Sequence, residues 1–231
     1  MDTQLTDSDI AKIRTTVEDS LDRIRQHPFI VNAEAGALSR EQAERWIMCA
    51  GRESRSFPSI LEGMVRRTRS DRISAVLRAN LDDEHGNGDP EQAHFRHYLN
   101  LLEHLGIGIV RFDAYLEQAG IRLALDLANA IARSDNEGIA IGYMLVNEGM
   151  TAITYGSVHT ALRRFHPAME TTFFQLHVEV DDRHIAELYT ATAELDKTSM
   201  ADVLFGVAIG ERGMAVLLDE ALGIYDLANA S

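Results

Sequence analysis

Three side chains of one helical stretch have the spacing of metal ligands. His177, Asp181 and His184 stand at i, i+4 and i+7 within the run 168–195. On a helix they fall within about 60° of arc, on a single stripe. Two imidazoles and a carboxylate so placed reach one or two cations, and in deprotonated form they suit iron, manganese or zinc. A solvated polar face is the alternative for this triplet. Glu148 is a second signal, because it interrupts the apolar run from Ile139 to Met150. A lone carboxylate there is costly unless it is paired or binds a metal. A hydrogen bond from a neighbouring helix would also satisfy it. Glu84 and His94 form a third signal, on either side of His85, Gly86, Asn87, Gly88, Asp89 and Pro90. A helix–turn–helix would bring both to one point, whereas the turn's composition alone reads as a hydrophilic loop.

Helices must position these groups, and the apolar period is helical nearly throughout. Thr6 to Asp9 can cap a first helix to about Gln26, stopped by His27 and Pro28. Ser39 with Gln42 reads as a capping box opening a second helix, which Pro58 should kink. A third helix spans about 70–84 and a fourth about 90–105. Shorter helices fit 111–118 and 122–134, and long ones 137–163, 168–195 and 198–226. Short connections favour antiparallel neighbours. The expectation is an all-α bundle of seven to eight helices, with residues 1–231 forming one domain.

Composition narrows the function. The 231 residues carry 36 acids against 22 bases, a formal charge of -14, and only Lys12 and Lys197 are lysines. Such a chain is a poor binder of nucleic acid or anionic membrane. Its one cysteine, Cys49, can form neither an internal disulfide nor a thiolate zinc site. No apolar run reaches the eighteen or so residues of a membrane span, and no secretory leader is evident in the charged first thirty. A cytoplasmic protein is expected. Nine histidines in so acidic a chain then need a reason.

Taken together, Glu84, His94, Glu148, His177, Asp181 and His184 supply three carboxylates and three imidazoles from four helical segments. Carboxylate-bridged di-metal sites of helix bundles use these ligand types. A ferritin-like arrangement of two Glu-x-x-His motifs fits only in part: Glu91 with His94 is one, Asp181 with His184 a variant, and His177 is left idle.

The set resembles that of the haem-oxygenase-like di-iron oxidases, which share a fold with haem oxygenase, the thiaminase-II-like proteins and pyrroloquinoline-quinone synthase. His27-Pro28-Phe29 and Phe57-Pro58 resemble signatures of that superfamily. Glu84 with His94, Glu148, and the closing triplet His177, Asp181 and His184 look like its ligands. The resemblance implies two Fe(II)/Fe(III) ions, no haem, dioxygen as co-substrate, and oxidation of a small substrate. That substrate is expected to be amino-acid-derived or otherwise carboxylate-bearing, with N-oxygenation, desaturation or C–C cleavage as the outcome. A homodimer is expected by analogy. Two ferrous ions carry four positive charges against three from Glu84, Glu148 and Asp181, so a fourth carboxylate is expected, from Glu62 or from the substrate. Tyr155 and His159 fall near the Glu148 face and are candidate substrate contacts, with packing as the alternative. His97 is a candidate support for the ligands, Arg183 a weak partner for a substrate carboxylate, and His85, His104 and His166 should face solvent. Two rival readings stand beside this one. One is a metal-free enzyme resembling thiaminase II or the quinone synthase, requiring a reactive cysteine or a basic pocket. The other is a non-catalytic helical binding protein, in which the His and Glu residues are dispersed or salt-bridged.

Overall fold

A computed structural model describes residues 4–225, apart from the side chains of 178–182. Ten α-helices follow one another among the described residues: α1 (Asp7–Arg25), α2 (Pro28–Glu34), α3 (Arg40–Arg67), α4 (Asp71–Glu84), α5 (His94–His104), α6 (Ile109–Asp113), α7 (Ala119–Ala132), α8 (Glu137–Phe165), α9 (Thr172–Thr192) and α10 (Met200–Leu222). The only β pairing among them is one bridge, Gln4 with Asp196. Among the described residues no helix is long and apolar enough to cross a membrane.

The caps form as their residue types dictate. The Thr6 hydroxyl accepts from Asp9 N at 3.2 Å while the Asp9 carboxylate accepts from Thr6 N at 3.1 Å. Ser39 and Gln42 reciprocate in the same way at the start of α3. At the start of α2, His27 Nδ1 accepts from Phe29 N and Pro28 fills the first turn. The stop expected at His27 and Pro28 is therefore also a start, and α2 is a helix that periodicity does not reveal in seven residues. Two other boundaries differ from expectation. Residues 111–118 are not one helix, since α6 ends at Asp113. The expected helix over 90–105 is split: Pro90–Gln92 is a 3-10 turn, Ala93 is extended, and α5 begins at His94.

α8 is the central element. It is apolar nearly all round and packs against α10, α9, α2, α1, α3 and α7. Each fully buried Ile, Leu or Val on it contributes roughly 1.5–3 kcal/mol. Its closest neighbour is α10, and glycines set that approach. A Cβ on Gly206 would strike the Ile139 carbonyl and come within 2.9 Å of Tyr143 N, while one on Gly142 would strike the Val203 carbonyl. These are backbone atoms, which cannot rotate away. Gly206→Ala is therefore expected to destabilise by about 1–3 kcal/mol or more, read in a denaturant titration. Gly213→Ala, whose nearest obstacle is Ala124 Cα at 3.9 Å, should be neutral or slightly stabilising. Equal stability of the two variants would refute this account of the packing.

Two apolar clusters fill the interior, one holding Trp46, Tyr98, Tyr155 and Phe173, the other Phe57, Met144, Leu145 and Leu188. Polar side chains collect where they meet.

Candidate metal centre

A cavity of about 40 Å³ lies at that junction. Its wall includes Glu84, His94, Glu148, His177 and His184, together with Asn80, Tyr155 and Met214. Among the described residues lining it there is no Lys or Arg.

The turn after α4 delivers the first pair. Gly86, Asn87 and Gly88 all have positive φ. A side chain at Gly86 would strike Asp89 and approach Ala93 N to 2.6 Å, so only glycine fits. The Asp89 side chain accepts from Glu91 N and caps the 3-10 turn. The extended Ala93 then turns His94 inward as the first residue of α5. Glu84, the last residue of α4, accordingly meets it, with Glu84 Oε1 2.9 Å from His94 Nδ1. His177, on α9, lies against them: its ring centroid is 4.7 Å from that of His94. Ligand atoms of Glu84, His94 and His177 all lie within 4.8 Å of one another, and all three residues are buried.

A second pair stands beside this group. Glu148, buried on α8, accepts from Asn80 Nδ2 at 2.6 Å, and its other oxygen is 3.3 Å from His184 Nδ1. His184 Nε2 faces Asp83 Oδ2 at 2.8 Å. Asp83 is held in turn by Asn87 at 2.7 Å and Arg183 at 2.5 Å. Burial alone would raise its pKa, but these hydrogen bonds, with that of His184, hold its carboxyl below the usual range. A carboxylate behind a histidine in this way fixes the ring's tautomer and orientation.

The histidine protonation states follow from these partners. His177 Nδ1 is 2.7 Å from the Phe173 carbonyl. A carbonyl only accepts, so Nδ1 carries the proton and Nε2 keeps its lone pair. Burial first, then the neighbouring His94, lower its pKa to about 3. For His94, burial opposes a charge, but the Glu84 hydrogen bond and charge outweigh it and raise the pKa above the ordinary value. His184 behaves likewise through Glu148 and Asp83. A proton on the ring is thus favoured where His94 meets Glu84 and where His184 meets Glu148, the points where nitrogen and oxygen donors converge. Such a donor set fits iron and offers no thiolate.

Of the residues expected in the site, Glu84, His94, Glu148, His177 and His184 come together. Asp181 is in α9, but its side chain lies outside the described residues. Glu62 does not belong: it is 45% exposed and pairs with Arg66 at 3.2 Å. It stands on the solvent face of α3, not on the face that bears Phe57. Tyr155 lines the cavity and packs edge-on to His177, with ring centroids 4.8 Å apart. His159 is off the cavity wall and stacks on Phe174 at 4.8 Å. His97 is buried one turn beyond His94. Arg183 is committed to Asp83. His85 and His104 are exposed. His166 is not, since it is half-buried beside Glu44 and Arg40.

Three polar residues in or behind the wall escaped the sequence reading. Asn80 is four residues before Glu84, on the same helix face, a spacing that was there to be read. Asp83 is hidden by its place in an acidic turn. Glu53 also lines the cavity, four residues before Phe57 on α3.

The profile of a family described as iron-containing redox enzyme matches residues 53–212. No curated protein matches the chain. Among solved structures the chain is similar to a CadD-like protein of unknown function from Nostoc punctiforme, with TM-score 0.77, 15% identity, and 93% of this chain and 99% of that one covered. It is also similar to a domain of unknown function with a haem-oxygenase-like fold from Shewanella denitrificans, with TM-score 0.76, 14% identity, and 95% and 94% covered. A TenA homologue from P. horikoshii has TM-score 0.71 and 15% identity, with 92% and 97% covered. With the bundle, the buried donor set and the match over most of its length, the chain belongs to the iron-containing redox enzyme family and has the haem-oxygenase-like fold.

Proposed function

We propose that this protein is a non-haem di-iron oxidoreductase that uses dioxygen to oxidise a small substrate. The observation that carries this reading is the convergence, in one cavity, of Glu84, His94 and His177 beside Glu148 and His184. Glu84, His94 and His177 would hold one iron, and Glu148, His184 and Asp181 would hold the other. When bound, such a pair supplies electrons for dioxygen reduction. The chain's own groups do the rest. Phe173 O orients His177 through Nδ1, and Asp83 orients His184 through Nε2. Asn80 steadies Glu148, and Phe57, Met150 and Met214 keep bulk water from the wall. An acidic substrate finds no Lys or Arg among the described lining residues, so only the irons would balance its charge.

The metal-free reading needs a reactive thiol or a basic pocket. Cys49 is fully buried away from the cavity wall, and burial pushes its thiol far up. The scaffold reading needs the His and Glu residues dispersed or salt-bridged; they converge, with His94 paired to Glu84 and His184 to Glu148, so iron uptake is what separates the two readings.

The test is anaerobic Fe(II) titration of purified protein, then exposure to dioxygen with candidate small acids and amino acids. About two irons per chain and a transient absorption band are expected. Affinity should strengthen as pH rises past the ordinary histidine value of about 6.5, because His94 and His184 must give up protons held above it. Well-folded protein that takes up no iron would overturn the reading.

A further inference from the structure

Away from the metal centre, large exposed apolar side chains concentrate at α6 and the turn after it. Leu116 is 84% exposed, Val110 79% and Ile109 45%, and no other stretch of eight described residues bares as many. Such a patch marks a contact site. It is held rigid. Phe112 is fully buried and anchors α6, with its ring 6.2 Å from that of Tyr98. The buried Arg52 donates to the carbonyls of Phe112 at 2.8 Å and of Asp113 and Tyr115 at 3.2 Å, which fixes the chain as it leaves α6. Beside it an open groove of about 490 Å³ runs between α3 and residues 114–118, with Met48, Ala114, Tyr115 and Leu116 as its apolar wall. The groove shares no lining residue with the metal cavity.

Charge selects the occupant. Glu44 is held by Arg40 at 2.8 Å and by Arg111 at 2.7 Å, Glu41 by Arg45 at 2.8 Å, and Asp113 by Arg55 at 2.8 Å. Bases thus match acids across this face, in a chain whose formal charge is -14. The excess acid lies elsewhere, so two copies that meet here avoid most of their like-charge repulsion. A nucleic acid, an acidic protein or a small anion would need guanidinium groups that are already engaged, and a basic partner would be drawn to the acidic remainder of the surface. The face also fits itself. Leu116 and Val110 project beside a groove with an apolar wall, so a two-fold contact uses each feature twice, projection into groove and groove around projection.

We propose that the α6 face is the two-fold contact of a homodimer, with Val110 and Leu116 of each copy set against the Met48 and Tyr115 wall of the other. This is independent of the di-iron reading. It is tested by sedimentation velocity of the full chain across a hundredfold range of concentration. Wild type should sediment as a dimer. Val110→Asp and Leu116→Asp should each weaken the dimer by roughly 10–100-fold, the worth of burying such a side chain, and the double variant should be a monomer. Both side chains are exposed in the single chain, so the far-UV circular dichroism of the variants should match wild type. Val110→Ser and Leu116→Ser, which add no charge, carry the test should the acidic pair disturb the fold. Phe205→Asp is the control, an exposed apolar position on α10, and should leave the dimer intact. A wild type that is monomeric throughout the range would overturn the proposal. So would a dimer that survives the double variant, or one that Phe205→Asp dissociates.

Discussion

His177→Ala is expected to abolish iron binding at the site of Glu84, His94 and His177, and all dioxygen-dependent turnover, while leaving the bundle folded. Three atoms define that site, and the variant removes the one whose state is fixed by the fold. His177 Nδ1 is occupied by the Phe173 carbonyl, so Nε2 is the free donor, and a pKa of about 3 keeps it free of protons at neutral pH. Losing one of three ligands should weaken binding by at least about 100-fold, beyond the 10–100-fold typical of outer partners. The fold has less to lose. The imidazole packs between Phe173, Tyr155 and His94, and its removal leaves a hole beside an existing cavity. Its pH signature is specific. Because the folded-state pKa is depressed, the unfolded chain takes up a proton first as pH falls below about 6.5. The stability this neutral histidine contributes is fully present above that value and is lost progressively as pH falls toward 3. Metal-free His177→Ala should thus have a shallower acid limb than wild type. Iron binding by a folded His177→Ala with wild-type stoichiometry and affinity would remove Glu84, His94 and His177 as a site. Glu62→Gln is the matched control: an exposed pair with Arg66 is worth about 0–1 kcal/mol, and iron binding should not change.

How far this centre was legible depends on where each residue's information lies. His177 and His184 share a helix stripe, so their spacing alone places them together. Glu148 announces itself by breaking an apolar run. Glu84 and His94 are separated by a turn whose glycines and proline are visible in the sequence. Glu53 and Asp83 carry no such mark. Glu53 sits among Arg52, Ser54, Arg55 and Ser56, and Asp83 among other acids, so local composition reads both as solvent-facing. Their inward direction comes from how α3 and α4 rotate against α8 and α9, a property of packing across nearly a hundred residues. Glu62 fails for the same reason in reverse. It lies nine residues after Glu53, two and a half turns, and that half-turn carries it to the opposite face. The break at Ala93 was equally hidden, since the apolar period runs through it.

The largest expected loss of stability lies away from the cavity, at Glu220→Ala. Glu220 is fully buried on α10. It accepts from the Tyr115 hydroxyl at 2.8 Å, Gln118 N at 3.1 Å and Ile121 N at 2.8 Å. Two of these are backbone N–H groups at the start of α7, whose own N-cap residue, Gln118, makes no side-chain cap. One carboxylate from another helix thus does the work of a cap, with the favourable sign of charge for a helix N-terminus. Gly120 permits the approach, since a Cβ there would meet Glu220 Cβ at 2.7 Å. Alanine at 220 would orphan three donors at about 1–3 kcal/mol each, so even with partial rescue by water the expected loss is about 3–5 kcal/mol. At roughly 2–4 °C per kcal/mol for a chain of this size, Tm should fall by about 6–20 °C. Glu220→Gln should recover only part of this, because its NH₂ group confronts N–H donors where an oxygen stood. Neither Glu220 nor any described residue of α7 lines the cavity, so below its lowered Tm the variant should still bind iron as wild type does. His177→Ala predicts the reverse, a lost site on a fold that survives. A Glu220→Ala protein with unchanged Tm would show that water or Tyr115 satisfies the α7 terminus unaided.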